Sequence, residues 1–155
     1  MSPLRLLLTL TLPLYALDQI TKWATLTYIP LHREIPVIPG FFSLVHVTNS
    51  GSAFGLMQGW LNFHLLFSAI MAVVMLWMLF RHDNNRLGRL ASSLILAGIF
   101  GNVTDRLLHG HVIDFLDFYL GSYHWPAFNV ADSAIVISVG LFLWESFRGR
   151  QPGQG

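Results

Sequence analysis

Apolar residues fall into four long runs: about Leu4 to Leu26, Leu61 to Phe80, Leu90 to Leu108 and Phe128 to Phe147. Each is about 20 residues long, which is what a helix needs to cross the hydrocarbon core of a bilayer. The segments between them follow another pattern. Glu34 to Gly55 is rich in β-branched and aromatic residues, and Pro36, Pro39 and Gly40 punctuate it. That pattern predicts short strands and turns lying against a membrane surface. His111 to Phe118 reads the same way around Asp114 and Asp117. The expected architecture is an all-α membrane protein of four transmembrane helices with a small extracytoplasmic β-rich cradle. It would form a single domain over 1–149, followed by a polar cytoplasmic tail at 150–155.

Basic residues orient these spans. Arg5 precedes the first, Arg81, Arg86 and Arg89 lie between the second and third, and Arg148 and Arg150 follow the fourth. The other side has only Lys22, Arg33 and Arg106, two of them at span ends. Both termini are therefore expected in the cytoplasm, with Thr27 to Trp60 and His109 to Ala127 outside. The first run has no small-x-small site before a polar start and is too long for a signal h-region, so it reads as a retained span.

Composition narrows the class further. The chain is 54% hydrophobic and 11% charged, against about 25% charged in a soluble domain. The mean hydropathy of +0.55 agrees. A soluble globule and a disordered chain are both excluded. The net charge of +1 gives no reason to expect nucleic acid. Cysteine is absent, which removes disulfides, thiolate metal sites and cysteine nucleophiles.

Against this background, polar residues inside the runs stand out, because a charge at membrane depth is costly and usually functional. Asp18 and Lys22 are placed on one helix face, as are Asn102, Asp105 and Arg106, and Asn129 and Asp132 open the fourth run. At about 1.5 Å per residue, Asp18 lies roughly 21 Å and Asp105 roughly 23 Å from the cytoplasmic ends of their spans. Asp132 enters from the other side to about 24 Å from the inner edge. Asp114 can reach the same layer from its connection. Structural roles compete: Asp18 with Lys22 as a plain ion pair, Asn102 with Arg106 tying down the outer loop, Asn129 as an N-cap. Asp114 and Asp132 have no obvious local basic partner.

Two acids in a partly dry site share a proton, so one can activate water while the other polarises a carbonyl. That is aspartic-peptidase chemistry at a membrane surface, and it calls for a substrate held in the membrane. Alternatives are weaker. His109 and His111 beside Asp114 and Asp117 lack a metal-binding helix motif, so no metal or cofactor is expected. Ser50 and Ser52 lack a nucleophile-elbow pattern, and Gly51 between them permits a tight turn. A proton- or ion-coupled transporter subunit would use membrane carboxylates too, but nothing comparable lies toward the cytoplasm. A scaffold without chemistry would tolerate Asp132→Asn.

Five segments in order carry a resemblance. Asp18-Gln19-Ile20-Thr21-Lys22, Asn49 to Gly55, Gly98 to Arg106, Val112 to Phe118 and Phe128-Asn129-Val130-Ala131-Asp132 resemble the motifs of the bacterial lipoprotein signal peptidases (signal peptidase II), aspartic peptidases of the cytoplasmic membrane. One departure is Ala97-Gly98, where the family often has Gly-Gly. The resemblance implies Asp114 and Asp132 as catalytic pair. It implies that Asn49, Gly51, Asn102, Asp105, Arg106 and Asn129 shape the site and hold substrate, with Asp18 and Lys22 in support. The implied substrate is a diacylglyceryl-modified prolipoprotein cut just before its lipidated Cys. Globomycin-type inhibitors are expected in the same cleft and the protein is expected to be a monomer. Thr48 to Leu56 is expected to be a mobile flap over the cleft.

Overall fold

The computed structural model describes residues 1–51, 59–81 and 85–148. The expected flap from residue 52 onward, the second motif from Ser52 to Gly55 and the polar tail beyond Arg148 lie outside the described residues.

The first apolar run is helical from Pro3 to Tyr28 but is not one continuous α-helix. Helix α1 (Pro3–Leu6) passes into a π-helical turn (Leu7–Thr11) and then into α2 (Leu12–Tyr28). Pro13 explains the interruption. It has no N–H, and its ring crowds the carbonyl one turn earlier, so the helix widens just before it. The Leu12 N–H accordingly reaches back to Leu7 O. Thr11, buried in this turn, donates its hydroxyl to Ser93 O at 2.9 Å and so ties the segment to its neighbour. Among the described residues, three helices are uninterrupted and apolar enough to cross a membrane: α3 (Leu61–Phe80), α4 (Arg86–His109) and most of α5 (Val130–Arg148).

Two of these begin elsewhere than the apolar pattern predicts, because caps set helix ends. Asn85 caps α4, accepting from Gly88 N at 2.8 Å, so the helix starts four positions before Leu90. Phe128 is bridged to Leu116, and Asn129 caps α5. At the other end of α4, Gly110 takes the left-handed conformation (φ 78°), and its N–H closes on Arg106 O.

Helix α4 is the centre of the bundle. Its apolar window is 61% buried, against 17% in α3 and in α5. The core joins Leu6, Met75, Leu79, Ile95, Leu96 and Ile99, with Ile135 and Phe142 packed against them. Outward residues of α3 and α5, such as Leu66, Val73, Val136 and Phe147, are exposed apolar side chains that suit lipid. Gly98 and Gly101 make the tight contact possible. A Cβ on Gly98 would collide with Ala131 O and the Ile135 side chain, and one on Gly101 with the Asp18 carboxylate.

The two larger connections build one antiparallel sheet, in the order β1 (Glu34–Ile38), β2 (Phe42–Asn49), β3 (Val112–Leu120), β4 (Tyr123–His124). This small antiparallel sheet is the β-rich part expected beside the apolar helices. Edge strand β1 is exposed throughout and contains Pro36, which an edge tolerates. Strand β3 is buried over Val112–Phe115, where α2 and α4 pack against it and the segment before α5 hydrogen-bonds along its edge. Asp114 therefore sits in the molecule's interior.

Candidate active site

Four elements deliver one carboxylate each to one place: α2, the last turns of α4, the β3 strand and the α5 N-terminus. The innermost layer is an ion cluster. Lys22 Nζ lies 2.8 Å from Asp18 Oδ2 and 2.8 Å from Asp105 Oδ2, with all three side chains almost fully buried. It also donates to Asn102 Oδ1 at 3.1 Å. Buried charges need such full pairing to be tolerated.

Each carboxylate of this cluster also holds backbone. Asp18 Oδ1 accepts the Ala131 N–H at 2.8 Å. That N–H lies in the first turn of α5, where no helical carbonyl is available for it. Asp105 Oδ2 accepts the Ile113 N–H at 3.1 Å. Ala131 immediately precedes Asp132, and Ile113 immediately precedes Asp114. The ion cluster thus grips the chain one residue before each of the two remaining acids.

Asn129 connects those two acids. Its Nδ2 donates to Asp114 Oδ1 at 2.8 Å and, at 3.3 Å, to Asn102 Oδ1 and Ile113 O. Its Oδ1 accepts Asp132 N at 2.9 Å, while Asp132 Oδ2 accepts Asn129 N at 3.3 Å. The pair is a reciprocal capping box, which places Asp132 in the first turn of α5. Asn102 Nδ2 donates to Asp132 Oδ1 at 2.8 Å, and Asn49 Nδ2 donates to Asp114 Oδ2 at 3.2 Å.

Burial pushes the Asp114 carboxyl up to about 7, and the neighbouring charge of Asp132 adds to the effect. The amide donors of Asn49 and Asn129 and the Lys22 charge offset part of it. Arg106 closes the rim: its Nη2 donates to Gly51 O at 2.9 Å and its Nη1 to Asn102 O at 3.4 Å. Gly51 N in turn bonds Asn49 Oδ1 at 3.0 Å.

This arrangement can be set beside known proteins. A family model described as Signal peptidase (SPase) II matches residues 10–148. The chain belongs to the signal peptidase II family. It is 46% identical to the lipoprotein signal peptidase of Desulforapulum autotrophicum over 88% of each chain. It is 40% identical to that of Syntrophotalea carbinolica over 96% of this chain and 94% of the other. Among solved structures it resembles a bacterial membrane enzyme determined by the in meso method at 2.3 Å, with TM-score 0.85 and 29% identity over 96% of this chain and 93% of that one. A second, determined at 1.9 Å, gives TM-score 0.81 and 30% identity over 90% of each chain. Family membership makes the chain a membrane peptidase, and it leaves the transporter reading without support.

All ten residues singled out in the sequence lie in or beside this one network. Sequence reasoning gave Gln19 no role, yet its Nε2 donates to Asp18 Oδ2 (3.2 Å), Asp105 Oδ1 (3.2 Å) and Gly101 O (3.3 Å). Only its place beside Asp18 pointed to it. Asp117 stands apart, three residues along β3, where it pairs with His124 Nδ1 at 2.9 Å. The rings of His109 and His111 lie 6.1 Å apart, and among the described residues no group of three or more His, Asp or Glu is placed to hold a metal.

Proposed function

We propose that this signal peptidase removes the signal peptide from diacylglyceryl-modified prolipoproteins, cutting just before the lipidated Cys, with Asp114 and Asp132 as the catalytic pair. The observation that carries the reading is the linkage of two buried carboxylates, from β3 and from the α5 N-terminus, through Asn129. With one proton between them, the ionised acid takes a proton from water as that water attacks the scissile carbonyl. The protonated acid donates to the carbonyl oxygen. The tetrahedral intermediate then collapses as the leaving amine is protonated, and one proton is again shared by the pair. No metal or cofactor is needed.

Asn49, Gly51, Asn102, Asp105, Arg106 and Asn129 shape the cleft and hold substrate backbone, and Asp18 and Lys22 support it from α2. The segment Pro3–Tyr28 is a fourth span in spite of its π turn. Its exposed Leu8, Leu12, Ile20 and Trp23 suit lipid, while Asp18 and Lys22 are buried. Both termini lie in the cytoplasm and the site lies near the outer leaflet of the bacterial cytoplasmic membrane. This location fits a substrate anchored by its own lipid. The domain over 1–149 acts as a monomer, and globomycin-type inhibitors occupy the same cleft. Arg106 holds the described start of the outer segment Thr48 to Leu56 through Gly51 O.

The test is cleavage of a diacylglyceryl-modified prolipoprotein by the purified protein. Product ending just before the modified Cys supports the reading, and equal cleavage of the unmodified precursor contradicts it.

A further inference from the structure

We infer that the end of the bundle away from the carboxylates holds a second binding site, for a phosphate group, supplied by an anionic phospholipid headgroup. The site lies at the α4 N-terminus, roughly 24 Å along the axis from Asp105. A cavity of about 80 Å³ opens there between α1 and α4, lined by Met1, Leu6, Arg86, Arg89 and Leu90. That is room for roughly two to three waters at ~30 Å³ each, which suits a compact anion.

Three observations say what this cavity would take. Two of its five lining residues are arginines, and among the described residues neither has a carboxylate ion pair. Arg86 is exposed and Arg89 half-buried, but the Arg89 Nε–H itself is buried and, among the described residues, has no hydrogen-bond partner, while its Nη1 donates to Met1 O at 3.4 Å. A buried donor without an acceptor is costly, and a guanidinium fork matches phosphate oxygens. The nearby acid Glu145 is already engaged by Asn85 Nδ2.

The remaining walls choose the source of the phosphate. Met1, Leu6 and Leu90 are apolar, and Leu4 and Leu8 on the same first segment are exposed apolar side chains. Basic pockets between helices at a membrane edge bind anionic headgroups in this way. On the proposed topology the headgroup belongs to the inner leaflet, so this inference rests on that reading for its leaflet but not for its chemistry.

The experiment releases the full chain from nanodiscs of equimolar phosphatidylglycerol and phosphatidylcholine and measures retained lipid by native mass spectrometry. The wild type is expected to retain phosphatidylglycerol preferentially. Loss of that preference is expected to be about fivefold for Arg86→Gln or Arg89→Gln and about thirtyfold for both. Arg89→Lys, which keeps the charge and loses the Nε donor, is expected to fall in between. Signal-peptide cleavage by the variants should stay at the wild-type level, which separates a lost site from a lost fold. Titration of detergent-purified protein with inorganic phosphate identifies the source. Arginine-dependent binding of free phosphate without lipid preference moves the assignment to a soluble anion. Equal lipid retention by wild type and double variant, together with no phosphate binding, overturns the site.

Discussion

Lys22 is the residue on which most of the buried charge depends. It faces Asp18 and Asp105 together, so Lys22→Met would leave two buried carboxylates unpaired. A loss of about 3–5 kcal/mol is expected, measured by thermal or denaturant unfolding in detergent. Asp18→Asn keeps an oxygen for the Ala131 N–H and is expected to cost less than Asp18→Leu, which loses it. Asp114 carries a pH signature. Its folded value of about 7 lies above the ordinary carboxylate range, so the folded state binds its proton more tightly. Stability from this group is therefore complete below about pH 4 and is lost as pH rises toward 7. Wild-type stability should fall relative to Asp114→Asn between these values and run parallel to it above pH 8. Paired melting curves across pH check this, and parallel curves throughout would contradict it. The spacing of Asp18 and Lys22 already showed one helix face. The role of Gln19 was not legible, because two of its three acceptors come from another helix and no local pattern encodes them.

Among the elements, α4 contributes most through its glycines. Gly101→Ala would drive a Cβ into the Asp18 carboxylate and to 3.0 Å from Ala131 Cβ. Overpacking of this kind costs about 1–3 kcal/mol, and here it displaces a group that positions Asp132. Cleavage by Gly101→Ala should therefore fall well beyond its loss of stability, whereas Gly140→Ala, with open space around it, should change neither. Comparing rate with melting temperature for the two variants checks the point. The helices were readable because about 20 apolar residues leave few alternatives. Their ends were not, since caps such as Asn85 outrank hydropathy. The strands were announced by Pro, Gly and β-branched residues. The bulge between Leu44 and Val47, which resets the register that pairs Val47 with Asp114, left no trace in that pattern.

At the scale of the molecule, the scarcity of charge made the site visible: in a chain with eight acidic residues, four of them meet in one network. Hydropathy does not register the π turn that Pro13 imposes on the first apolar run. The proposed topology can be checked with engineered thiols, since the chain contains no cysteine. In spheroplasts, Ser122→Cys in the β3–β4 turn should react with a membrane-impermeant maleimide, and Ser2→Cys only after permeabilisation. The reverse pattern would invert the orientation. If Asp114 and Asp132 together cut a lipid-anchored signal peptide, neither Asp114→Asn nor Asp132→Asn should turn over a diacylglyceryl-modified prolipoprotein. Both proteins should accumulate in the membrane and bind a globomycin-type inhibitor or substrate, with turnover reduced by at least about 10⁴-fold, the scale of a lost catalytic residue. Cleavage near the wild-type rate by either variant would contradict the account.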